Sequence, residues 1–321
     1  MSHYFLGIDI GNTKSRIILT RDSHILDKMM LPWSTRDGYN QVIGELENKA
    51  WSMIKQRKLK PGDLCGIGIG FGGPVDAKRG VSLWSPGALG WEGAPLKTAF
   101  EAGFNVPVLI ENDANSGAWG EYVYGYRNTY KNIFYMTIST GVGGGLIIDG
   151  KLYRGQNGLS GEIGHINVVP DGPECTCGNR GCLEALISGP SIARKVKREI
   201  MGNTQLGTKI RDFMDRGSEI SSETVYYAAR ENDPFCIDIW REVGRYLALG
   251  LCTVIHLLDP EAIILGGGVT KAKDFFISET KRMINEDKLI RRFSNPRIYF
   301  SRLGDFSVAY GAANLFPNAG S

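Results

Sequence analysis

The sequence predicts an α/β fold built from two related halves. Short apolar runs alternate along the chain with segments whose apolar residues recur at the three-to-four spacing of an amphipathic helix. A pattern of strand, glycine turn and strand at residues 8–18 is repeated at residues 138–148. The 321 residues also allow two domains of ordinary size and a sizeable buried core.

The first half begins with two apolar strands that are joined by a tight turn at residues 11–14. Residues 39–58 then carry apolar side chains at helical spacing, and Pro61-Gly62 ends this predicted helix. The same patterns predict strands at residues 65–70 and 106–113 and a helix at residues 114–124.

The second half is rich in helices and contains a long loop region. Because a Ser/Pro-rich linker is missing, we place the domain boundary near residue 118. The small domain would then be residues 1–118, completed by a C-terminal helix at about 305–321, and the large domain would be residues 119–304. The predicted elements are a loop region at 155–189, helices over about 190–256, a strand at 262–265 and a last helix near 309–316.

Composition and charge exclude several classes of protein. The 37 Lys and Arg residues nearly balance the 34 Asp and Glu residues, which gives a net charge of +3 and no reason to expect nucleic-acid binding. The N-terminus lacks the basic and apolar regions of a signal peptide. The most apolar stretch, residues 246–258, is shorter than the ~20 residues that span a bilayer, so it is predicted to be a buried helix. We expect a cytoplasmic protein that binds neither nucleic acid nor membrane.

The first glycine turn combines an acid with uncovered backbone amides. Asp9 ends a strand, Gly11 leaves the backbone accessible, and Asn12, Thr13 and Lys14 add polar groups and a positive charge. Such a turn can hold a phosphate group and Mg²⁺. A two-residue hairpin turn explains the same short pattern and is the better explanation of this segment alone.

The second glycine turn favours the phosphate interpretation. Residues 139–145 offer two hydroxyls and four glycines, which is more glycine than a hairpin needs. Neither turn has the spacing of a Walker A loop or of a dinucleotide-binding fingerprint. A third glycine cluster, after a later strand, either approaches an adenosine closely or is a simple strand-to-helix turn. The residues of interest are Thr140, Gly141 and Gly143 in the second turn and Gly267 and Gly268 in the third cluster.

One histidine and three cysteines lie within 18 residues and predict a metal site. His165, Cys175, Cys177 and Cys182 form the Cys₃His set that binds tetrahedral Zn²⁺. Buried free cysteines are the alternative, but the surrounding residues are polar or glycine. Four protein ligands would make the metal structural, since no position stays open for a reactive water.

Three acids are candidates for work on a substrate. Glu162 and Glu184 flank the loop at residues 165–182, where a metal would hold them precisely enough to bind sugar hydroxyls. As single residues, both are equally well explained as solvated loop acids. Asp113 ends an apolar strand beside Asn112 and is the candidate general base, although it is as well suited to cap the following helix.

These segments occur in the order found in one family, and over nearly its whole length the chain resembles the ROK family of sugar kinases and repressors. The Cys-x-Cys-Gly-x-x-Gly-Cys-Leu-Glu segment, with Gly-Glu-x-Gly-His before it, is highly specific. The glycine turns alone indicate only the wider actin/hexokinase-like ATPase superfold. The segments that carry the resemblance are residues 9–13, 111–115, 139–145, 161–165, 175–184 and 265–268.

The resemblance implies a sugar kinase that uses ATP and Mg²⁺, with a cleft between two ribonuclease-H-like domains and the 6-hydroxyl as the usual acceptor. Asp113 matches the family's catalytic base, which takes the proton of the sugar hydroxyl as it attacks the γ-phosphate. Zn²⁺ would be structural, and the chain would form a homodimer or homotetramer. The implied sugar contacts are Gly73, Asn112, Asp113, Glu162, His165 and Glu184, and the implied nucleotide contacts are Asp9, Gly11, Asn12, Thr13, Lys14, Thr140, Gly141, Gly143, Gly267 and Gly268.

One segment departs from the family pattern. Residues 85–91 resemble a Pro-Asn-x-x-Gly-Trp loop, but Gly87 stands where Asn is usual. That Asn contacts sugar in glucokinase-like members of the family. Its absence leaves room for a bulkier sugar such as an N-acetylhexosamine, or a neighbouring residue compensates for it.

Two other functions compete with the kinase. A ROK repressor would carry an N-terminal helix-turn-helix, whereas eight residues precede Asp9 in this sequence. A non-catalytic sugar-binding protein would be expected to have lost Asp113 or the phosphate turns. We therefore expect a kinase that is most similar to glucokinases, with a sugar-responsive regulator or a sugar-binding protein as the alternatives.

Overall fold

A computed structural model describes residues 3–22, 24–33, 37–60, 62–84 and 90–316 of the chain. Gly87, where the sequence departs from the family pattern, lies outside these residues, as do Pro61 and the last residues of the predicted C-terminal helix. Two five-stranded sheets and eleven α-helices within the described residues confirm the predicted α/β class.

The chain divides into two compact units. Unit 1 comprises Met1–Tyr135, Gly145–Gly161 and Ser301–Ser321, and unit 2 comprises Met136–Gly144 and Glu162–Phe300. The domain boundaries near residues 118 and 304 stay a prediction from the sequence.

The first part of the chain alternates strands and helices. Its elements are β1 (Tyr4–Ile10), β2 (Lys14–Arg21), β3 (His24–Pro32), α1 (Tyr39–Gln56), β4 (Leu64–Phe71), β5 (Val75–Asp76), β6 (Val81–Ser82), α2 (Leu96–Phe104), β7 (Val108–Asn112) and α3 (Asp113–Gly120).

The rest of the chain contributes a second set of strands and most of the helices. Its elements are β8 (Ile133–Ile138), β9 (Val142–Ile148), β10 (Lys151–Tyr153), α4 (Leu183–Ile187), α5 (Gly189–Gly202), α6 (Thr208–Asp215), α7 (Ser222–Arg230), α8 (Pro234–Leu258), β11 (Ala262–Gly266), α9 (Lys273–Glu286), α10 (Lys288–Phe293), β12 (Arg297–Phe300) and α11 (Ser307–Ala313).

The first sheet has the strand order β3-β2-β1-β4-β7. Strands β1, β2 and β3 pair in antiparallel fashion, while β1, β4 and β7 run parallel. Alternate side chains of a strand point to opposite faces of the sheet. Ile17 therefore joins the core formed with α1 and α2, whereas Ile18 packs with Ala309 and Ala313 of α11.

The second sheet has the order β10-β9-β8-β11-β12, which repeats the order of the first sheet strand for strand. Its β9–β10 pair is antiparallel and its β11–β12 pair is parallel. The division of the chain into units falls within β8 and β9. The internal repeat predicted from residues 8–18 and 138–148 is thus present in the topology, with a glycine turn between the first two strands of each sheet.

Several predicted elements have shifted ends. Helix α1 begins at Tyr39 as predicted and ends at Gln56, before the predicted end. The helix predicted at residues 114–124 is α3 followed by a π-helical turn, Glu121–Gly125, a feature frequent near functional sites. Strand β3 was missed because its side chains are only partly buried and lack an apolar run. No helix among the described residues is long and apolar enough to cross a membrane.

Candidate active site

The candidate base lies where β7 ends and α3 begins. Asn112 is the N-cap of α3, because its side-chain oxygen accepts a hydrogen bond from the Asn115 backbone N–H at 3.1 Å. Asp113 is the first residue of the helix, and its Oδ1 accepts hydrogen bonds from the Asn112 side-chain amide at 3.1 Å and the Ala114 N–H at 2.8 Å. The capping role that the sequence left open for Asp113 therefore belongs to Asn112.

Glu111 supports this junction from below. Its side chain is only 3% exposed and accepts hydrogen bonds from the Asn112 N–H at 3.0 Å and the Asn115 side chain at 3.1 Å. The guanidinium of Arg154, which follows β10, forms an ion pair with the other carboxylate oxygen. Sequence reasoning missed both roles, although a glutamate at the end of an apolar strand is itself a signal that a partner must exist.

Gly73 belongs to the same neighbourhood of unit 1. Its carbonyl oxygen accepts a hydrogen bond from the Asn112 side-chain amide at 3.2 Å. The residues predicted to contact sugar from the first part of the chain, Gly73, Asn112 and Asp113, are therefore joined by hydrogen bonds.

The first glycine turn connects β1 to β2. The Gly11 N–H donates to the Lys14 carbonyl at 3.2 Å, so the segment is a hairpin turn as the alternative interpretation proposed. The Trp33 N–H donates to the Thr13 carbonyl at 3.1 Å and holds the turn from β3's side, while the Thr13 side chain is exposed. A hairpin turn and a phosphate site are compatible, because the exposed hydroxyl stays accessible.

Asp9 at the end of β1 is a buried acid with a basic partner. Only 3% of Asp9 is exposed, and its Oδ2 accepts a hydrogen bond from Arg16 Nη1 at 2.6 Å. Burial raises the pKa of Asp9 to about 6, and the Arg16 guanidinium acts in the opposite direction. Asp305 contributes a second carboxylate 3.7 Å from Arg16. Sequence reasoning missed Arg16, which lies among apolar residues of β2.

The second glycine turn connects β8 to β9. The Ser139 N–H donates to the Gly141 carbonyl at 2.8 Å, which closes the turn, and the Gly189 N–H donates to the Ser139 carbonyl at 2.8 Å. The Val142 N–H donates to Oε2 of Glu184 at 3.0 Å. Thr140 is exposed at the tip of the turn, and Gly141 and Gly143 flank the start of β9.

The third glycine cluster follows β11 and lies beside the second turn. Gly267 has a φ of +88°, and a Cβ atom on it would lie 2.3 Å from the Ile138 carbonyl oxygen. Only glycine satisfies both conditions without strain. Gly268 comes close to the Ser139 hydroxyl, since a Cβ atom there would lie 3.9 Å from its oxygen. The two glycine segments of unit 2 therefore form one neighbourhood.

The predicted metal ligands come together in unit 2. The ligand atoms of His165, Cys175, Cys177 and Cys182 all lie within 4.8 Å of one another. Cys175 Sγ is 3.7 Å from His165 Nδ1, and Cys177 Sγ is 3.8 Å from Cys182 Sγ. A tetrahedral Zn²⁺ with bonds of about 2.3 Å to sulfur and about 2.0 Å to nitrogen requires separations of roughly 3.5–3.8 Å. The side chains therefore fit a four-coordinate Zn²⁺.

His165 presents its two ring nitrogens to different partners. Nδ1 faces the cysteine cluster, whereas Nε2 lies 3.9 Å from Oε2 of Glu162. Burial raises the pKa of Glu162, while His165 lowers it and Glu184 raises it further. This orientation allows His165 to bind a metal through one nitrogen and a substrate hydroxyl through the other.

The predicted site residues thus form neighbourhoods within each unit. Unit 1 contains the strand end with Gly73, Asn112 and Asp113 and the first turn with Asp9, Gly11, Asn12, Thr13 and Lys14. Unit 2 contains the metal ligands, the acids Glu162 and Glu184, the second turn and the third cluster with Gly267 and Gly268.

A family model described as the ROK family matches residues 5–319. A glucokinase of Halalkalibacterium halodurans is 31% identical over 97% of this chain and 94% of that protein. The crystal structure of a ROK family glucokinase from Streptomyces griseus, in complex with glucose and AMPPNP, superimposes with a TM-score of 0.82 at 31% identity, covering 97% of this chain and 98% of that chain. The predicted fold class is therefore confirmed.

A transcriptional regulator is also among the similar proteins. The xylose repressor of Caldicellulosiruptor bescii is 30% identical over 95% of this chain and 76% of that protein. Similarity alone therefore includes both an enzyme and a DNA-binding protein, and the choice depends on the chemistry of the site.

Proposed function

Because the chain belongs to the ROK family, we propose that it is a sugar kinase that transfers the γ-phosphoryl group of ATP to a hexose or an N-acetylhexosamine. We propose the 6-hydroxyl as the acceptor and a specificity closest to that of the glucokinases among its relatives.

The observation that carries this proposal is the state of Asp113. Its carboxylate is not spent on capping α3, since Asn112 has that role. Two short hydrogen bonds to Oδ1 orient the carboxylate, and Glu111 with Arg154 stabilises the backbone before it. Phosphoryl transfer requires positioning of the acceptor and removal of its proton, and an oriented carboxylate supplies both.

The nucleotide would be held by the glycine segments. The first turn would contact its phosphates through Gly11, Asn12, Thr13 and Lys14, and Asp9 would hold Mg²⁺, which neutralises developing phosphate charge when bound. The second turn would contribute Thr140, Gly141 and Gly143, and the third cluster would face the adenosine. Gly267 supports this last role because its backbone has no side chain that keeps a ligand away.

The sugar would be held by groups on both sides of its ring. Asn112 and the Gly73 backbone would act from unit 1, and Glu162, His165 and Glu184 from unit 2. Zn²⁺ at His165 and the three cysteines would fix the loop that carries these acids, and it has no open coordination position for chemistry. The cytoplasmic location and the homodimer or homotetramer stay predictions.

A sugar-responsive regulator is the second candidate, and the repressor that matches 95% of this chain is the observation that favours it. A sensor needs the sugar contacts but not an oriented base. The retention of both Asp113 and the residues that orient it therefore favours the kinase.

The experiment that tests the proposal is product analysis. The protein is incubated with Mg-ATP and, in turn, glucose, mannose, fructose, allose, N-acetylglucosamine and N-acetylmannosamine, and the products are examined by mass spectrometry. The proposal predicts a phosphorylated sugar from at least one of them. Sugar binding by calorimetry without any phosphorylated product would favour the regulator.

A further inference from the structure

Glu184, in the first turn of α4, accepts hydrogen bonds from two separate loops of unit 2. Its Oε2 accepts the Val142 N–H at 3.0 Å, directly after the second glycine turn. Its Oε1 accepts the Thr176 hydroxyl at 2.9 Å, and Thr176 stands between Cys175 and Cys177 of the metal cluster. One carboxylate therefore connects the metal loop to the second glycine turn.

The close approach of this carboxylate depends on the glycine at position 141. A Cβ atom on Gly141 would lie 2.7 Å from Glu184 Oε2, which is closer than real Cβ contacts allow. The bond also occupies the Val142 N–H, so that amide is not available to a phosphate. The carboxylate therefore acts on the shape of the turn, and its remaining lone pairs can still accept a sugar hydroxyl.

We propose that Thr176 and Glu184 are positioning residues through which the metal loop sets the nucleotide affinity of the turn at residues 139–145. A metal that fixes Cys175 and Cys177 also fixes Thr176, whose hydroxyl orients Glu184. The oriented carboxylate makes a charge-assisted hydrogen bond to the turn. A turn that is already ordered loses less conformational entropy when it binds a phosphate, so it binds more tightly.

This inference rests on the proposed function only in taking residues 139–145 as a nucleotide turn. It differs in assigning the metal loop an effect on the nucleotide in addition to the sugar. The test must therefore measure nucleotide binding directly, without sugar and without turnover.

The variant Thr176→Val removes the hydroxyl and keeps the shape of the side chain, whereas Thr176→Ser keeps the hydroxyl. The affinity for AMPPNP with Mg²⁺ is measured by calorimetry, and the bound metal is quantified in each preparation. Loss of one hydrogen bond predicts an affinity about three- to tenfold weaker in Thr176→Val, with unchanged metal content. Thr176→Ser should bind like the original protein, as should the control Thr253→Val, whose hydroxyl bonds only within α8.

Two further measurements test the route of the effect. Removal of the metal from the original protein should weaken AMPPNP binding, and the same removal should have a smaller additional effect in Thr176→Val, because the connection is already broken. The Val142 amide should also exchange its hydrogen faster in Thr176→Val than in Thr176→Ser.

The coupling is overturned if Thr176→Val binds AMPPNP as tightly as the original protein, or if the Val and Ser variants are weakened equally. Loss of metal from Thr176→Val would overturn it too, because Thr176 would then act on the metal and not through Glu184. These results leave the kinase proposal intact, whereas an original protein that binds no AMPPNP contradicts the kinase proposal itself.

Discussion

The strand end of unit 1 and the metal loop of unit 2 each hold a carboxylate in a fixed orientation, but by different means. Asp113 is held by its immediate neighbours, the Asn112 side chain and the Ala114 N–H. Glu184 is held by Val142 and Thr176, which belong to loops distant from α4 in the sequence. The first arrangement forms as soon as β7 and α3 fold, whereas the second also depends on a metal. Changes at the strand end should therefore affect chemistry, and changes in the metal loop should affect binding.

The largest effect is expected from Asp113→Asn. Loss of the general base should lower kcat by about 10²- to 10⁴-fold and leave sugar affinity nearly unchanged, since the amide keeps the shape of the side chain. Steady-state kinetics and calorimetry with sugar measure the two quantities. Asp149→Asn, in the exposed turn between β9 and β10, is the matched control and should be fully active. Activity above a few per cent in Asp113→Asn would show that Asp113 is not the base.

Metal removal should have the next largest effect and should act mainly on binding. Without the metal, the loop that carries Glu162, His165 and Glu184 loses its shape, because such sites fold only with their metal. Sugar affinity should fall by about tenfold or more, a loss typical when groups that orient a site are removed. Calorimetry with sugar before and after chelation measures it, and re-addition of Zn²⁺ is the control. An unchanged affinity after verified metal loss would remove the contrast between the two regions.

The buried acid of the first turn predicts a dependence of stability on pH. The pKa of Asp9 is raised to about 6 in the folded protein by burial, so folding disfavours its ionised form. Its contribution to the free energy of unfolding is fully present below about pH 4 and is lost as the pH rises through 6, by up to about 3 kcal/mol. Urea unfolding at several pH values should show this loss in the original protein.

Asp9→Asn is the comparison for this pH series, since an amide does not ionise. The difference in unfolding free energy between the two proteins should change between pH 4 and 6 and stay constant above about pH 7. A difference that is independent of pH would mean that Arg16 compensates fully for the burial of Asp9.

The smallest effect is expected from Arg154→Gln, which leaves the buried carboxylate of Glu111 without its basic partner. Because 49% of the Arg154 side chain is exposed, water replaces part of the lost interaction, and the cost should be about 1 kcal/mol of stability. Urea unfolding measures the cost, and Arg154→Lys, which keeps the charge, should lose less. Equal stability of all three proteins would show that Glu111 supports the strand end without Arg154.

Local patterns made much of the fold predictable. The hairpin of β1 and β2, the start of α1 and the repeated topology follow from short-range periodicity and glycine turns. The four metal ligands were likewise identifiable, because their spacing in the sequence is short.

Long-range contacts made the rest unpredictable. The ion pair of Glu111 with Arg154, and the bond of Glu184 to Val142, join side chains that are 43 and 42 residues apart. No periodic pattern encodes such pairs. The division of labour between Asn112 and Asp113 was equally hidden, since both residue types are good helix caps and only geometry decides between them.

The most direct test of the central claim, that the chain is a sugar kinase with its base at the strand end of unit 1, is coupled ADP release from Mg-ATP. The assay is run with the same set of hexoses and N-acetylhexosamines, and Asp113→Asn is the blank. The account predicts ADP release with at least one sugar that is lost in Asp113→Asn. The absence of sugar-dependent ADP release from a metal-loaded protein that still binds sugar would contradict it.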